Sequence, residues 1–289
     1  MSTKELIRKI TEGHALDAPA SESLFDSIFS GGVSEVELTA VLVAMKMRRE
    51  TPAELVGAAR SMRRFAVNPG LDAHGLFDTC GTGGDHSNSF NISTSVAIIL
   101  AAMGVPVAKH GNRSVSSRSG SADFLEALGV PIDLQGDVAR AYFARHGFLF
   151  LFAQLHHPAM KHAAPVRRAL GVRTIFNFLG PLTNPASPRR QMIGVFHPDV
   201  LPLYADAAAS LGFERVLLYS SDTGMDEVSP HEPTVVMAVN DGRKELFTID
   251  PSSMISPEEA ASIPTNCSPA ENAAHFVQTV SSSGPTPLG

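Results

Sequence analysis

The sequence predicts a small all-helical domain joined to an α/β domain whose mostly parallel sheet is covered by helices. Two observations carry this. Residues 1 to about 70 hold capped segments with apolar residues at helical spacing, and beyond Asn68-Pro69-Gly70 the pattern changes to short apolar runs alternating with helical stretches. Chains that alternate β and α elements in this way build parallel sheets with helices on their faces.

Ser34 followed by Glu37, and Thr51-Pro52 followed by Glu54, have the spacing of a capping box, the second with proline at the first helical position. Behind these caps Val36, Ala40, Val43 and Met47 recur at helical spacing, as do Leu55, Ala59, Met62 and Phe65. Both stripes are expected to face the core. Past the turn, Leu76-Phe77, Val105 to Ala108, Phe148 to Phe152, Gln191 to Phe196 and Arg215 to Tyr219 read as buried strands. Ile92 to Met103 and Ala122 to Leu128 read as helices, the Pro-rich stretch Asn177 to Pro188 as an irregular connection, and Glu271 to Val280 as the start of a helix. The expected division is 1–70 for the helical domain, joined by part of 158–188, and 71–289 for the α/β domain.

At 289 residues, with 44% hydrophobic and 18% charged residues, the chain is long enough for a well-covered core and is neither disordered nor fibrous in composition. Its richest apolar stretch, Val96 to Val107, is short for a membrane span and contains Gly104 and Pro106. The first residues lack the uninterrupted apolar region of a secretory signal. Cys80 and Cys267 cannot form a disulfide framework, so a reducing cytoplasm is the expected compartment. A net charge of -6 argues against nucleic acid as a partner, and no membrane partner is expected. Any anion must therefore be held by a local cluster.

Such clusters are present. The glycines of Asp78-Thr-Cys-Gly81-Thr82-Gly83-Gly84-Asp85 let backbone N–H groups approach an anion, although a structural turn is equally consistent with them. Asp85 is out of place in a bare phosphate cradle unless a cation or sugar hydroxyls intervene. Asn91-Ile-Ser93-Thr94 opens a helical run, where the hydroxyls cap the helix and can also hold phosphate or a metal-bound water. Lys109-His110-Gly111-Asn112-Arg113-Ser114-Val115-Ser116-Ser117-Arg118-Ser119-Gly120-Ser121 reads as a loop bearing three cations and no acid before Asp123. Asp226-Glu227 is an acidic pair after the strand ending at Tyr219; it is solvated by default and a magnesium site beside a polyphosphate.

Taken in order, Cys-Gly-Thr-Gly-Gly-Asp, Ser-Phe-Asn-Ile-Ser-Thr, Lys-His-Gly-Asn-Arg-Ser-Val-Ser-Ser, Ser-Gly-Ser-Ala-Asp, Asn-Phe-Leu-Gly-Pro-Leu-Thr-Asn-Pro and Met-Asp-Glu-Val-Ser closely resemble the motifs of the anthranilate phosphoribosyltransferases. The resemblance runs from about Leu6 to Val239. It implies a fold of the nucleoside phosphorylase and phosphoribosyltransferase type, dimerising through the helical part. It also implies transfer of the phosphoribosyl group of phosphoribosyl pyrophosphate to the amine of anthranilate, the second step of tryptophan biosynthesis after chorismate. By resemblance, Gly81, Gly84, Asp85, Ser89, Asn91, Ile92, Ser93, Thr94, Lys109, His110, Gly111, Asn112, Arg113, Ser114, Val115, Ser116, Ser117 and Ser121 surround the phosphoribosyl pyrophosphate. Ser93, Asp226 and Glu227 match the positions that hold Mg2+, and Gly81, Asn112 and Arg167 the anthranilate contacts, with Arg168 a rival for the last.

In that chemistry, Lys109 would stabilise the leaving pyrophosphate and His110 would take the departing proton, though a structural histidine is as good a reading. Cys80 reads as packing. Family members continue through further helices, so the final helices of the α/β domain are expected to be missing, with lower stability as the consequence. One alternative is an inactive or partner-dependent relative. A pyrimidine nucleoside phosphorylase is another, although its Lys-His-Ser-Thr-Gly-Gly loop is absent from this sequence.

Overall fold

Each of the first four helices starts where a side chain can accept the N–H groups of the opening turn. The helices are α1 (Thr3–Thr11, cap Ser2), α2 (Ala18–Phe29, cap Asp17), α3 (Glu35–Arg48, cap Ser34) and α4 (Pro52–Arg64, cap Thr51), and the Ser34–Glu37 and Thr51–Glu54 capping boxes both form. Their apolar faces share a core that includes Leu6, Ile10, Leu24, Phe25, Leu38, Leu42 and Leu55. The α4 stripe faces inward as expected, with Leu55, Ala59 and Met62 buried. The α3 stripe does not. Val36 is 81% exposed and Met47 79%, whereas Leu38, Val41, Leu42 and Met45 of the same helix are buried. Apolar residues lie all around α3, so helical spacing alone did not select the buried face.

The computed structural model describes residues 1–83, 89–114 and 118–282. Within the α/β part the strands are β1 (Phe77–Gly81), β2 (Val107–Gly111), β3 (Phe148–Phe152), β4 (Arg190–Gly194), β5 (Arg215–Ser221), β6 (Thr234–Asn240) and β7 (Arg243–Ile249). They form one sheet in the order β3-β2-β1-β4-β5-β6-β7. The first five are parallel, and β6 and β7 add an antiparallel hairpin at one edge. The helices are α5 (Ile92–Ala102), α6 (Ser121–Ala127), α7 (Gly136–His146), α8 (Ala153–His156), α9 (Ala164–Leu170), α10 (Ile175–Leu182), α11 (Leu201–Ser210), α12 (Pro257–Ser262) and α13 (Pro269–Ser281). Of these, α9 touches α3, and α10 touches both α3 and α4. Among the described residues, no helix is long and apolar enough to cross a membrane.

Two further expectations are corrected. Strands β1 and β2 run further than their apolar runs, so Lys109, His110 and Gly111 belong to a strand and not to a loop. Asn177 to Pro188 is not wholly irregular, because α10 continues to Leu182 with Pro181 inside it. Pro181 has no N–H to give the Asn177 carbonyl, and the helix stops one residue later at Leu182. The β6–β7 hairpin was not anticipated at all.

Helices α2 and α4 pack backbone to backbone because Gly57 has no side chain: a Cβ there would sit 2.4 Å from the Ala18 carbonyl oxygen and 2.6 Å from the Glu22 nitrogen. On an exposed helix Gly→Ala gains up to about 1 kcal/mol. At this crossing the clash is with rigid backbone, so Gly57→Ala is expected to destabilise by about 1–3 kcal/mol. Denaturant unfolding checks it, and a stabilised variant would mean that the helices separate without penalty.

A candidate active site at the strand ends

The site begins at a gap in the sheet. Strand β1 pairs with β4 along its whole length, from Phe77↔Arg190 to Gly81↔Gly194, but with β2 only at Phe77↔Val107. Side chains close the gap. One oxygen of the fully buried Asp78 carboxylate accepts the His110 N–H (3.2 Å), and the other accepts Asn184 Nδ2 (2.8 Å) and Gln191 Nε2 (3.0 Å). Asn184 Nδ2 also donates to the Ala108 carbonyl at 2.8 Å. From β2, the buried Lys109 ammonium donates to the Thr79 carbonyl and lies 3.5 Å from Ser93 Oγ. Burial pushes the Lys109 ammonium below the ordinary lysine range, with Asp78 the strongest opposing charge, and burial likewise raises the Asp78 carboxyl against the pull of Lys109.

A second segment enters from β5. Asp226 and Glu227 are both buried, and their chain passes so close to β1 and β4 that a Cβ on Gly194 would lie 1.7 Å from the Asp226 carbonyl oxygen. Asp226 Oδ2 accepts the Gly83 N–H at 2.6 Å, and Glu227 Oε1 accepts the Ser93 N–H at 3.0 Å. The acidic pair is therefore built into the strand ends rather than solvated. Ser93, Lys109, Asp226 and Glu227 converge at the first turn of α5. Such a place, where loops leave parallel strands and a helix begins, suits an anionic ligand.

Oxygen donors at Asp226, Glu227 and Ser93 fit a hard divalent cation. Among the described residues no three His, Cys, Asp or Glu side chains cluster; magnesium is commonly held by one or two carboxylates together with substrate phosphates.

The other predicted residues divide. Asn91, at the start of α5, donates from Nδ2 to the Ser119 carbonyl and so joins the site to the segment after β2. Ser121 Oγ donates to the Asn112 carbonyl at 3.0 Å. Ser89 precedes α5, Ile92 and Thr94 lie in its first turn, and Gly81 ends β1. The expected triple cation is not an open patch: Lys109 is inside the sheet, Arg113 pairs with Asp123 (2.9 Å) and Glu126, and Arg118 donates to the Asn266 carbonyl (2.8 Å). Asp123 also accepts the Ser114 N–H at 3.1 Å. Gly84, Asp85, Val115, Ser116 and Ser117 lie outside the described residues.

His110 is buried with Nδ1 3.2 Å from the Gly180 carbonyl, which fixes the proton on that nitrogen and leaves Nε2 as an acceptor. Burial, and then the neighbouring His157 ring at 5.0 Å, hold His110 well below the ordinary histidine range. Cys80 is buried and its thiol is pushed far up by burial, so it is packing and not a nucleophile. Arg167 is half-buried with its guanidinium over the Phe176 ring at 5.3 Å, whereas Arg168 is exposed. No described contact joins Arg167 to the β1 and β2 ends.

Sequence reading missed Asp78, Asn184 and Gln191 as site supports. The signal was available in part, since Asp78 interrupts a strand-like run with a charge that has to be paired.

The helical-bundle description of the glycosyl transferase family matches residues 4–66, and its a/b-domain description matches residues 73–285. An anthranilate phosphoribosyltransferase of Metallosphaera sedula is 46% identical over 255 residues, which are 88% of this chain and 74% of that protein. The chain belongs to the anthranilate phosphoribosyltransferase family. Among solved members, the Thermus thermophilus protein superposes with a TM-score of 0.89 at 38% identity, over 98% of this chain and 84% of its own. The Saccharomyces cerevisiae member, solved in complex with phosphoribosyl pyrophosphate and Mg, does so with a TM-score of 0.84 at 26% identity, over 96% and 80%. Membership sets aside the pyrimidine nucleoside phosphorylase alternative.

Gly194 gives the family site a sharp test. Gly194→Ala has to move the Asp226-Glu227 segment, and displacements of about 1 Å can cost about a hundredfold in rate. Near-normal turnover in that variant would mean the acidic pair need not be held where it is.

Proposed function

We propose that this chain transfers the phosphoribosyl group of phosphoribosyl pyrophosphate to the amino group of anthranilate, giving N-(5-phosphoribosyl)anthranilate and pyrophosphate. The observation that carries this is the convergence of Lys109, Ser93, Asp226 and Glu227 on the first turn of α5, in a chain 46% identical to a named member of the family. The amine attacks C1 while the bond from C1 to the pyrophosphate oxygen breaks. Positive charge grows on the ribose and negative charge on the leaving group. Lys109 and the N–H groups of the glycine segment and of α5 would face that leaving group. Ser93, Asp226 and Glu227 would hold Mg2+, which when bound offsets phosphate charge.

Anthranilate is already a neutral amine, so positioning outweighs base strength. Asn112, Gly81 and Arg167 would contact it, with the guanidinium of Arg167 on its carboxylate. His110 would take the departing proton in this reading, although its Nε2 is buried without a partner among the described residues, which suits a structural histidine equally well. Gly84, Asp85, Ser89, Asn91, Ile92, Thr94, His110, Gly111, Arg113, Ser114, Val115, Ser116, Ser117 and Ser121 complete the phosphoribosyl pyrophosphate site in this reading. Such an activity would serve tryptophan biosynthesis in the cytoplasm, in keeping with two free cysteines.

The decisive assay is the loss of anthranilate fluorescence in the presence of phosphoribosyl pyrophosphate and magnesium; no loss with folded protein would refute the proposal. Replacing Asp226 and Glu227 together by Ala should cost at least about a hundredfold in turnover while the fold persists. Arg167→Ala should raise the KM for anthranilate, by the equivalent of about 1.5–3 kcal/mol for a charged hydrogen bond, with kcat little changed. If Arg168→Ala does this instead, the exposed arginine is the anthranilate contact.

The exposed face of α3 supports a homodimer. Val36, Val43 and Met47 form an exposed apolar stripe on the helical part, and exposed apolar patches mark surfaces that another chain can cover. Sedimentation of Val43→Glu/Met47→Glu should give a monomer where the parent gives a dimer, and a parent that sediments as a monomer defeats this part.

A further inference from the structure

Helix α13 reaches the site from the far end of the chain through a buried amide. Asn272 is 1% exposed, its Nδ2 donates to Asn91 Oδ1 at 2.8 Å, and its own Oδ1 has no partner among the described residues. The same Asn91 oxygen accepts Ser119 Oγ at 2.7 Å, while Asn91 Nδ2 donates to the Ser119 carbonyl at 3.2 Å. Docking of α13 does not need this amide, because Phe276 already packs edge-on against Phe124 at 5.9 Å, beside Phe90 and Ala273. A buried amide with one acceptor unpaired is a poorer stabiliser than an apolar side chain of the same size.

Its partner explains why it is there. Asn91 is the N-cap residue of α5, and asparagine at that position ordinarily turns back to accept an N–H of the first turn. Here it makes no such bond, and the Ser93 N–H goes to Glu227 instead. We infer that Asn272 is a positioning residue: with Ser119 it holds the Asn91 side chain away from the cap, so that the first turn of α5 stays open to the pyrophosphate of the substrate and tied to the segment after β2. Arg118, donating to the Asn266 carbonyl at 2.8 Å, separately ties the segment after β2 to the residues just before α13. The inference rests on the phosphoribosyl pyrophosphate reading of this turn, and its test keeps the two apart.

The probes are inorganic pyrophosphate with magnesium, titrated by calorimetry, and steady-state kinetics with each substrate varied. Asn272→Ala should weaken pyrophosphate binding and raise the KM for phosphoribosyl pyrophosphate by about fivefold, as for one lost hydrogen bond. The KM for anthranilate and the melting temperature should stay close to the parent values. Because the effect passes through Asn91, Asn91→Ala/Asn272→Ala should bind pyrophosphate no more weakly than Asn91→Ala alone. Phe276→Ala, which undocks the helix, should lower the melting temperature, and Gln278→Ala on the exposed face should change nothing. Additive effects in the double variant, or an equal rise in both KM values, would overturn the inference; so would unchanged pyrophosphate binding in Asn272→Ala. If the parent binds pyrophosphate yet transfers nothing to anthranilate, the proposed reaction fails while the pyrophosphate comparison still decides the role of Asn272.

Discussion

The carboxylate of Asp78 has no exposure to solvent, and the ends of four chain segments are arranged around it. A charge in that position is tolerable only if every lone pair finds a donor, because taking it out of water costs several kcal/mol. Asp78 meets that demand with the backbone of β2, the Asn184 amide and the Gln191 amide, and the Lys109 cation lies close enough to oppose its desolvation. The result is a sheet in which β1 and β2 separate after their first pair without leaving an apolar hole. Two motifs far apart in sequence, Lys-His-Gly-Asn and Gly-Pro-Leu-Thr-Asn-Pro, are thereby held in one register.

The same economy explains how an acidic chain would hold the polyanion of the proposed reaction. Arg113 and Arg118 are each occupied by protein partners, so the local positive potential is not a cluster of loose side chains. It comes from one buried ammonium and from the start of α5, both held in place by protein partners. Asp226 and Glu227 are accepted beside them because each already takes a backbone N–H. A preorganised site of this kind loses little on binding, whereas freely moving lysines and arginines would have to be ordered first.

Much of this was legible in the sequence. Capping boxes at Ser34 and Thr51 announced helices because their spacing is local and needs no knowledge of the rest of the chain. The five parallel strands showed as apolar runs for the same reason. What stayed hidden depends on partners distant in sequence. Lys109 and Asp78 looked like loop residues because a charge usually marks a strand end, and only the closed network shows that they continue the strands. On α3, apolar residues on both sides made the spacing ambiguous, and the stripe chosen was the exposed one. The β6–β7 hairpin did carry a readable mark. Asp241-Gly242 between two β-rich runs is a strong hairpin signal, and both residues take the positive φ, 46° and 80°, that a tight turn of this kind requires.

The helical part is joined to this network more directly than a docking module needs to be. Arg63, on α4, donates from Nε to the Leu182 carbonyl at 2.8 Å, with its guanidinium 5.3 Å from the Phe213 ring. Leu182 ends α10, and two residues further on Asn184 holds Asp78. On the opposite side of the site, His156 Nδ1 lies 2.7 Å from the carbonyl of Val67, in the segment that leaves α4, and the adjacent His157 packs on His110. Burial lowers Arg63 to about 10 and His157 to about 4, so near neutral pH the first stays a cation and the second a neutral ring. A displacement of α4 would act on Asn184 through one and on His110 through the other, the two sides of the gap that Asp78 closes. The placement of the helical part and the geometry of the site are therefore set by one continuous set of bonds.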